Sequence, residues 1–525
     1  MYWGCRRMLY DILLETSRSD PENPAVLCGG VRYDYARLKD RVDRLSSALL
    51  QLGVEKSDRI AILHRNCHRY LETYFAAARI GAVLVPMNIR LSFRDFAHIL
   101  NDSGAKILIA QPSLLPPRST GEPPLDKTRI FTEPGEIDDP SEGWLDYESL
   151  IQAGISADPD VEMCEDGDIA QIYYTSGTTG RPKGVILTHG NNREHAVRSV
   201  GELGLSSCDR WLHVSPMFHL ADAWAVWAIT KVAGTHVLIP CFEPGQVLKA
   251  IADHRVTLSN FIPTMLNVLV NYPGAKEADF SSLRLILSGG APIAKEVVRR
   301  VMETCGCEYV QTYGMTETAP FLTMSLLREE LRLLPFEERL AYLVTTGRPF
   351  SGVQLKVVRE DGSEVVPDDR EVGEIIVKSE TVTPGYWRMP EETSQRIVDG
   401  WLHTRDLARV NREGYVMIVD RKDDVIITGG ENVYTVEVED VLYAFPGILE
   451  AAVIGLPHSV WGESVTAVIV AREGEEFEDE EVIRFCRQRL APFKVPKSVI
   501  RTDCLPKTGS AKVSKYLLRD RFGRG

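Results

Sequence analysis

Residues 175–184 read Thr175, Ser176, Gly177, Thr178, Thr179, Gly180, Arg181, Pro182, Lys183 and Gly184, four hydroxyls and three glycines in ten positions. Glycines let a backbone come close to a ligand, hydroxyls and N–H groups donate hydrogen bonds, and Lys183 adds a movable positive charge. That mixture suits a polyphosphate. It is not a Walker A loop, which needs Gly-Lys followed by Ser or Thr at a fixed place. The strand-like run at 168–174 just before it makes a phosphate-binding turn a better reading than a merely exposed polar one.

Three further groups carry reactive types. Ser288, Gly289, Gly290, Ala291 and Pro292 precede the run Gln311, Thr312, Tyr313, Gly314, Met315, Thr316, Glu317, Thr318. There Tyr313 can stack on a base, Thr316 can bond a phosphate, and Glu317 can hold Mg²⁺ between phosphate oxygens. Taken alone, such a stretch is more often a helix start, with Thr316 capping and Glu317 in the first turn. His403, Thr404, Arg405 and Asp406, with Arg421, Lys422, Asp423 and Asp424, place carboxylates and a guanidinium fork where ribose hydroxyls could be held, or where a surface ion pair could form. Near the C-terminus Lys512 lies on a Gly/Ser loop, from which a lysine can reach a cleft and neutralise developing negative charge.

These residues need positioning elements, and the apolar pattern supplies them. Strand-like runs at 59–64, 81–86 and 105–110 are separated by helix-like stretches at 70–80 and 93–101. Leu38, Val42, Leu45 and Leu49 recur at helical spacing, and Gly53 follows as a stop. The rhythm returns at 235–240 and 283–288, which predicts βαβ units and a largely parallel sheet. Residues 111–160, rich in Pro, Asp and Glu, read as surface connection. Near residue 420 the texture changes, and strand-like runs at 451–455 and 464–470 predict a small α+β unit. The acidic stretch 473–481 reads as a loop and helix N-terminus, where carboxylates meet the positive end of the dipole. The predicted fold is α/β: a large N-terminal domain of mixed and parallel sheets flanked by helices, then a small α+β C-terminal domain. The boundaries are 1–420, 421–424 and 425–525.

Composition bounds the partners. The 60 basic and 74 acidic residues leave a net charge of −14, which argues against nucleic acid as the main partner. The ten cysteines form no CxxC pair, and Cys305-Gly306-Cys307 has no second pair at zinc-site spacing. The N-terminal residues lack the apolar core of a secretory signal, and 221–240, broken by Asp222, Lys231 and His236, is too polar for a membrane span. A cytoplasmic protein with reduced thiols is expected, with a homodimer as a reasonable prior.

The order of the four groups resembles the adenylate-forming superfamily: acyl-CoA synthetases, nonribosomal-peptide adenylation domains and beetle luciferases. The resemblance spans essentially the whole chain, from about residue 10 to 520. It implies ATP, Mg²⁺ and coenzyme A as cofactors and co-substrates, and a small carboxylic acid as substrate. By the same resemblance, 175–183 form the phosphate loop, and Gly289, Gly290 and Ala291 border the adenine in front of Gln311, Thr312 and Gly314. Tyr313 packs on the adenine, Thr316 contacts phosphate, Glu317 serves Mg²⁺, and Asp406 and Arg421 hold the ribose. Lys512 is the adenylation lysine, Asp423 the hinge of a mobile C-terminal domain, and Gly429 and Gly430 belong to a loop lining the pantetheine channel. The chain departs from the family at Arg405, usually Gly; at Ala511, usually Gly; and at Thr435, usually Pro. The expectation at Arg405 is a cation close to the nucleotide.

An acyl-adenylate must be kept from water, so the acyl pocket should be closed and apolar. Its candidate lining is Phe218, His219 and Trp224, with a second wall at 260–264. In similar fatty acyl-CoA synthetases the matching His borders the carboxylate and the matching Trp gates a tunnel. Burial as plain core aromatics is the competing expectation for Phe218 and Trp224. The segment 326–340 resembles the linker of fatty acyl enzymes. The expected reaction is AMP-forming acid:CoA ligation on a medium- or long-chain fatty acid. The alternatives are an aromatic or alicyclic acid, or loading of a carrier-protein thiol.

Overall fold

The strand-like runs at 59–64, 81–86 and 105–110 become the strands Arg59–Leu63, Val83–Pro86 and Ile107–Ala110, paired in parallel. Every residue of these strands except Arg59 is buried, as expected for strands covered on both faces. The computed structural model describes residues 8–115, 128–132, 144–156, 162, 164–176, 181–507 and 513–523. Contacts divide the chain into two compact units, one of residues 1–354 and 378–400, the other of 355–377 and 401–525.

The first unit holds two sheets among the described residues. In one of seven strands the order runs Trp144–Asp146, Thr128–Phe131, Ile107–Ala110, Arg59–Leu63, Val83–Pro86, Ile169–Ser176, Pro182–Thr188. Only the last pair is antiparallel. The other sheet, of nine strands, carries Arg210–His213, Leu258–Phe261, Leu285–Gly289 and Glu308–Gly314 side by side in parallel. Connecting helices cover the faces. In Tyr35–Gln51, Asp34 accepts a hydrogen bond from the Arg37 N–H and so caps the helix. Leu38, Val42, Leu45 and Leu49 are fully buried there, each worth about 1.5–3 kcal/mol of burial.

Two expectations need correction or adjustment. Residues 111–160 are not only surface connection: Thr128–Phe131 and Trp144–Asp146 extend the seven-stranded sheet in parallel, and Tyr147 and Ile151 are buried beside them. Strands of three and four residues are too short to leave a periodic signal amid Pro, Asp and Glu. The contact division also falls elsewhere than 421–424, because 355–377 and 401–420 pack with the C-terminal unit.

In that second unit, Gly373–Lys378, Trp401–Val410 and Val416–Arg421 pair antiparallel in turn. A second sheet pairs Ile448–His458 with Gly462–Ala471, and Ser498–Arg501 joins in parallel. Helices Thr435–Tyr443 and Asp479–Arg487 complete an apolar core around Val438, Leu442, Val453, Ala467 and Val482. The acidic stretch does open a helix: Glu478 and Glu481 make reciprocal capping hydrogen bonds at the start of Asp479–Arg487. No helix among the described residues is long and apolar enough to cross a membrane.

Candidate active site

The strands on either side of the phosphate-loop candidate pair with each other. Ile169–Ser176 and Pro182–Thr188 are antiparallel, with Thr175 opposite Lys183 and Tyr174 opposite Gly184. Gly177, Thr178 and Thr179 lie outside the described residues, as do Ala511 and Lys512. Lys183 is buried, and its Nζ lies 2.8 Å from Glu392 Oε1. At Gly184 a Cβ would fall 2.8 Å from Ile172 Cγ2 and 3.2 Å from Trp387 Cβ, so a side chain there would push the hairpin off its neighbours.

The second group sits on two adjacent parallel strands whose ends come level. Gly289 pairs with Thr312 and Ser288 with Gln311. A Cβ on Gly289 would lie 2.4 Å from Thr312 Oγ1, so glycine is what lets these strands close up. Gly290 takes a positive φ of 84°, and the Gln311 side-chain amide donates to the Ala291 carbonyl at 3.0 Å. Tyr309 Oη holds the other end of that amide. Tyr313 is nearly buried, and Gly314 leads into a short 3₁₀ turn, Thr316–Thr318, with Met315 before it. The capping position is therefore Met315, not Thr316, and both Thr316 and Glu317 lie inside the turn.

A segment that sequence reasoning passed over binds these two groups together. Between 383 and 393, the Trp387 N–H donates to the Gly184 carbonyl at 2.7 Å, and Thr383 Oγ1 donates to the Ile186 carbonyl at 2.5 Å. The Thr383 N–H donates to the Glu317 carbonyl, and Tyr386 Oη donates to Glu317 Oε1, both at 2.8 Å. Burial, reinforced by the Glu317 charge, pushes the Tyr386 hydroxyl well above its ordinary range, so it stays a donor. The only signal was the run Pro384-Gly385-Tyr386-Trp387 followed by Pro390-Glu391-Glu392, a turn and helix start with no reactive pattern of its own.

Metal binding at Glu317 fits the donor set. No group of three or more His, Cys, Asp or Glu residues is placed to hold a metal among the described residues. Mg²⁺ is commonly held by one or two carboxylates together with substrate phosphates and water, and a single oriented carboxylate meets that need.

The acyl-pocket candidates form one hydrogen-bonded cluster. Ser215 Oγ donates to the Asn260 carbonyl at 2.9 Å, and Asn260 Nδ2 donates to the Ala221 carbonyl at 2.8 Å. This joins the segment before Phe218 to the second wall. Phe218 lies against the His219 ring at 4.7 Å, and Asn88 Nδ2 is 3.5 Å from His219 Nε2. Trp224 is only 1% exposed, with the rings of Trp211, Phe321 and His195 at 5.0, 4.9 and 5.5 Å. Its Nε1–H donates to the Ala221 carbonyl at 3.1 Å. Burial lowers the His195 pKa to about 3, so the ring facing Trp224 is neutral.

The second unit brings Asp406 and Arg421 together as cross-strand partners, Arg421 Nε 3.4 Å from Asp406 Oδ1. Asp406 is buried and Arg421 exposed. Gly429 and Gly430, both at positive φ, make the two-residue turn between Ile426–Thr428 and Glu431–Val433. Thr435 uses its N–H and hydroxyl on the buried Asp420 carboxylate, bonds whose N–H half a proline could not make. Beside this pair, the Arg405 guanidinium pairs with Asp423.

The chain matches the AMP-binding enzyme family over residues 13–387 and the AMP-binding enzyme C-terminal domain over 437–512, and it belongs to that family. It is an ATP-dependent, AMP-forming acid–CoA ligase. It is 40% identical to a feruloyl-CoA synthase from an Amycolatopsis species, covering 97% of each chain. It is 34% identical to a long-chain-fatty-acid–CoA ligase of Mycobacterium tuberculosis, covering 94% of this chain and 93% of that one. Among solved structures it is similar to o-succinylbenzoate coenzyme A synthetase from Bacillus subtilis in complex with ATP and magnesium ion. The TM-score is 0.83 at 28% identity, covering 98% and 100% of the two chains.

Proposed function

We propose that this ligase activates a compact aromatic acid in preference to a long-chain fatty acid. The observation that carries the choice is Trp224. A tunnel gate has to swing, and this ring is enclosed by three others and pinned by its own N–H. Turning it out would open a cavity in a packed core, at a cost of several kcal/mol. The 40% identical feruloyl-CoA synthase supports the same choice. A medium- or long-chain fatty acid is the second reading, favoured by the 34% identical fatty acid ligase and by the linker-like segment 326–340.

In the first half-reaction the acid's carboxylate oxygen bonds to the α-phosphorus of ATP, and the bond to the bridging oxygen breaks, releasing pyrophosphate. Thr175, Ser176, Gly177, Thr178, Thr179 and Lys183 cradle the phosphates. Lys183 exchanges its Glu392 partner for phosphate oxygens, an exchange between two anions that leaves no buried charge unpaired. Gly289, Gly290, Ala291, Gln311, Thr312, Tyr313 and Gly314 flank the adenine, Thr316 bonds phosphate, and Asp406 and Arg421 hold the ribose. Glu317 would hold Mg²⁺, which would screen the phosphate charge. Lys512 neutralises charge growing on the carboxylate and phosphate oxygens, and His219 borders the carboxylate. In the second half-reaction the C-terminal domain turns about Asp423, and the CoA thiolate, guided past Gly429 and Gly430, displaces AMP from the acyl carbon.

The test is AMP release from ATP across hydroxycinnamates, benzoates and fatty acids of increasing length, each with and without CoA. CoA-dependent release confined to aromatic acids supports the proposal. Release that peaks with a fatty acid chain overturns it, and release indifferent to CoA points to a carrier-protein acceptor. Lys512→Ala should abolish acyl-AMP formation and largely spare thioester formation from supplied acyl-AMP. Equal loss of both steps would remove Lys512 from its role.

A further inference from the structure

Arg405 stands where similar enzymes carry glycine, and it keeps glycine's backbone: its φ is +65°, in the left-handed region that costs a side-chain-bearing residue energy. Such a residue persists where its contacts hold it. Here the contacts converge on the proposed pivot. Arg405 Nε lies 3.1 Å from Asp423 Oδ2, and Nη2 pairs with Oδ1, a two-pronged grip on one carboxylate. The Arg405 carbonyl accepts the Lys422 N–H at 2.8 Å, and the Arg405 N–H donates to Glu374 Oε1 at 3.2 Å. Lys422 Nζ reaches Glu374 Oε2 at 3.3 Å. Two consecutive residues of 421–424 are thus tied to strands that precede the turn.

We propose that Arg405 is a positioning residue that holds Asp423 in one conformation and thereby sets the balance between the two half-reactions. The inference rests on the reading of Asp423 as the pivot. A turn about Asp423 changes its φ and ψ, re-aims its carboxylate and gives up the two-pronged pair. Glycine at 405 has no side chain to make that pair, so the device belongs to this chain. Both partners are partly exposed, with 46% and 36% of their side chains accessible, so the effect is modest and salt-dependent.

The experiment measures acyl-AMP formation without CoA and thioester formation from supplied acyl-AMP separately, using the acid that gives the fastest AMP release. Arg405→Gly should change the ratio of the two rates by about two- to fivefold, the range an exposed pair can contribute. Arg405→Lys, which keeps the charge and loses the fork, should fall between. Raising the salt concentration should move the wild-type ratio toward that of Arg405→Gly and leave the variant's ratio unmoved. In trypsin digestion of the full chain, cleavage after Arg421 and Lys422 should be faster in Arg405→Gly at low salt. An unchanged ratio, or an equal loss of both rates, overturns the proposal. Asp423→Pro separates the two levels, because proline fixes φ at that position. If it leaves both half-reactions in the wild-type ratio, the pivot reading fails and takes the proposal with it. If it blocks one half-reaction while Arg405→Gly leaves the ratio unmoved, only the role of Arg405 fails.

Discussion

A carboxylate that is to serve a metal and phosphates, the role proposed for Glu317, has to be aimed, and Glu317 is aimed by Tyr386. The bond runs from a buried hydroxyl to a buried carboxylate, a geometry in which charge-assisted hydrogen bonds are worth about 1.5–3 kcal/mol. Tyr386→Phe should lower kcat by roughly tenfold and raise the Mg²⁺ concentration needed for half-maximal activity, with the fold intact by circular dichroism. A Mg²⁺ titration that superimposes on wild type would show that Tyr386 does nothing for Glu317. The type and place of Glu317 were readable from the sequence. Its donor was not, because Tyr386 lies 69 positions away and only folding joins them.

At the scale of elements, a glycine lets strand and turn meet beside the residues proposed to bind nucleotide. A Cβ on Gly314 would stand 1.9 Å from the Pro320 carbonyl oxygen, a backbone atom that cannot step aside as a side chain does. Gly314→Ala must therefore shift the turn that carries Thr316 and Glu317. The expected outcome is a loss of about 2–4 kcal/mol in denaturant unfolding and at least a hundredfold fall in kcat/KM for ATP. Gly306 is the contrast. Its φ of +65° is strained for alanine, but a Cβ there meets nothing within 4 Å. Gly306→Ala should cost only about 1–2 kcal/mol and leave kcat/KM near wild type. A Gly314→Ala enzyme with wild-type kcat/KM would contradict the packing argument.

Over the whole molecule, buried histidines make stability depend on pH. Burial lowers His68 and His195 to about 3 and His189 to about 4, and holds His236 well below its ordinary range. In the unfolded chain each binds a proton near pH 6.5, while the folded chain resists until much lower pH. Their stabilisation is therefore fully present above pH 6.5 and is lost as pH falls toward 4. Each contributes about 1.4 kcal/mol per pH unit in that window, the four together roughly 5–6. Glu72, Asp420 and Glu439, raised by burial, take up protons first in the folded state and offset part of the loss toward the lower end. The melting temperature should fall steeply between pH 6.5 and 5, and His195→Gln should flatten that slope by about a quarter. A flat profile over this interval would refute the assignment.

The sequence by itself determined the reaction class and most of the elements. The hydroxyl and glycine loop, the Tyr313-to-Glu317 run and the alternation of apolar runs are local patterns, and local patterns survive as text. The helix over Tyr35–Gln51 and the parallel core strands follow from spacing alone. What only the tertiary structure decided are pairings across long stretches of chain. Glu392 meets Lys183, Tyr386 meets Glu317, Arg405 meets Asp423, and Trp224 is locked by rings from three other segments. The short strands Thr128–Phe131 and Trp144–Asp146 belong with these, since edge pairing with a sheet already formed, not their own composition, makes them strands. A side chain's type is written in the sequence, but its partner is set by which elements pack together, and packing energy is summed over contacts that no local window contains.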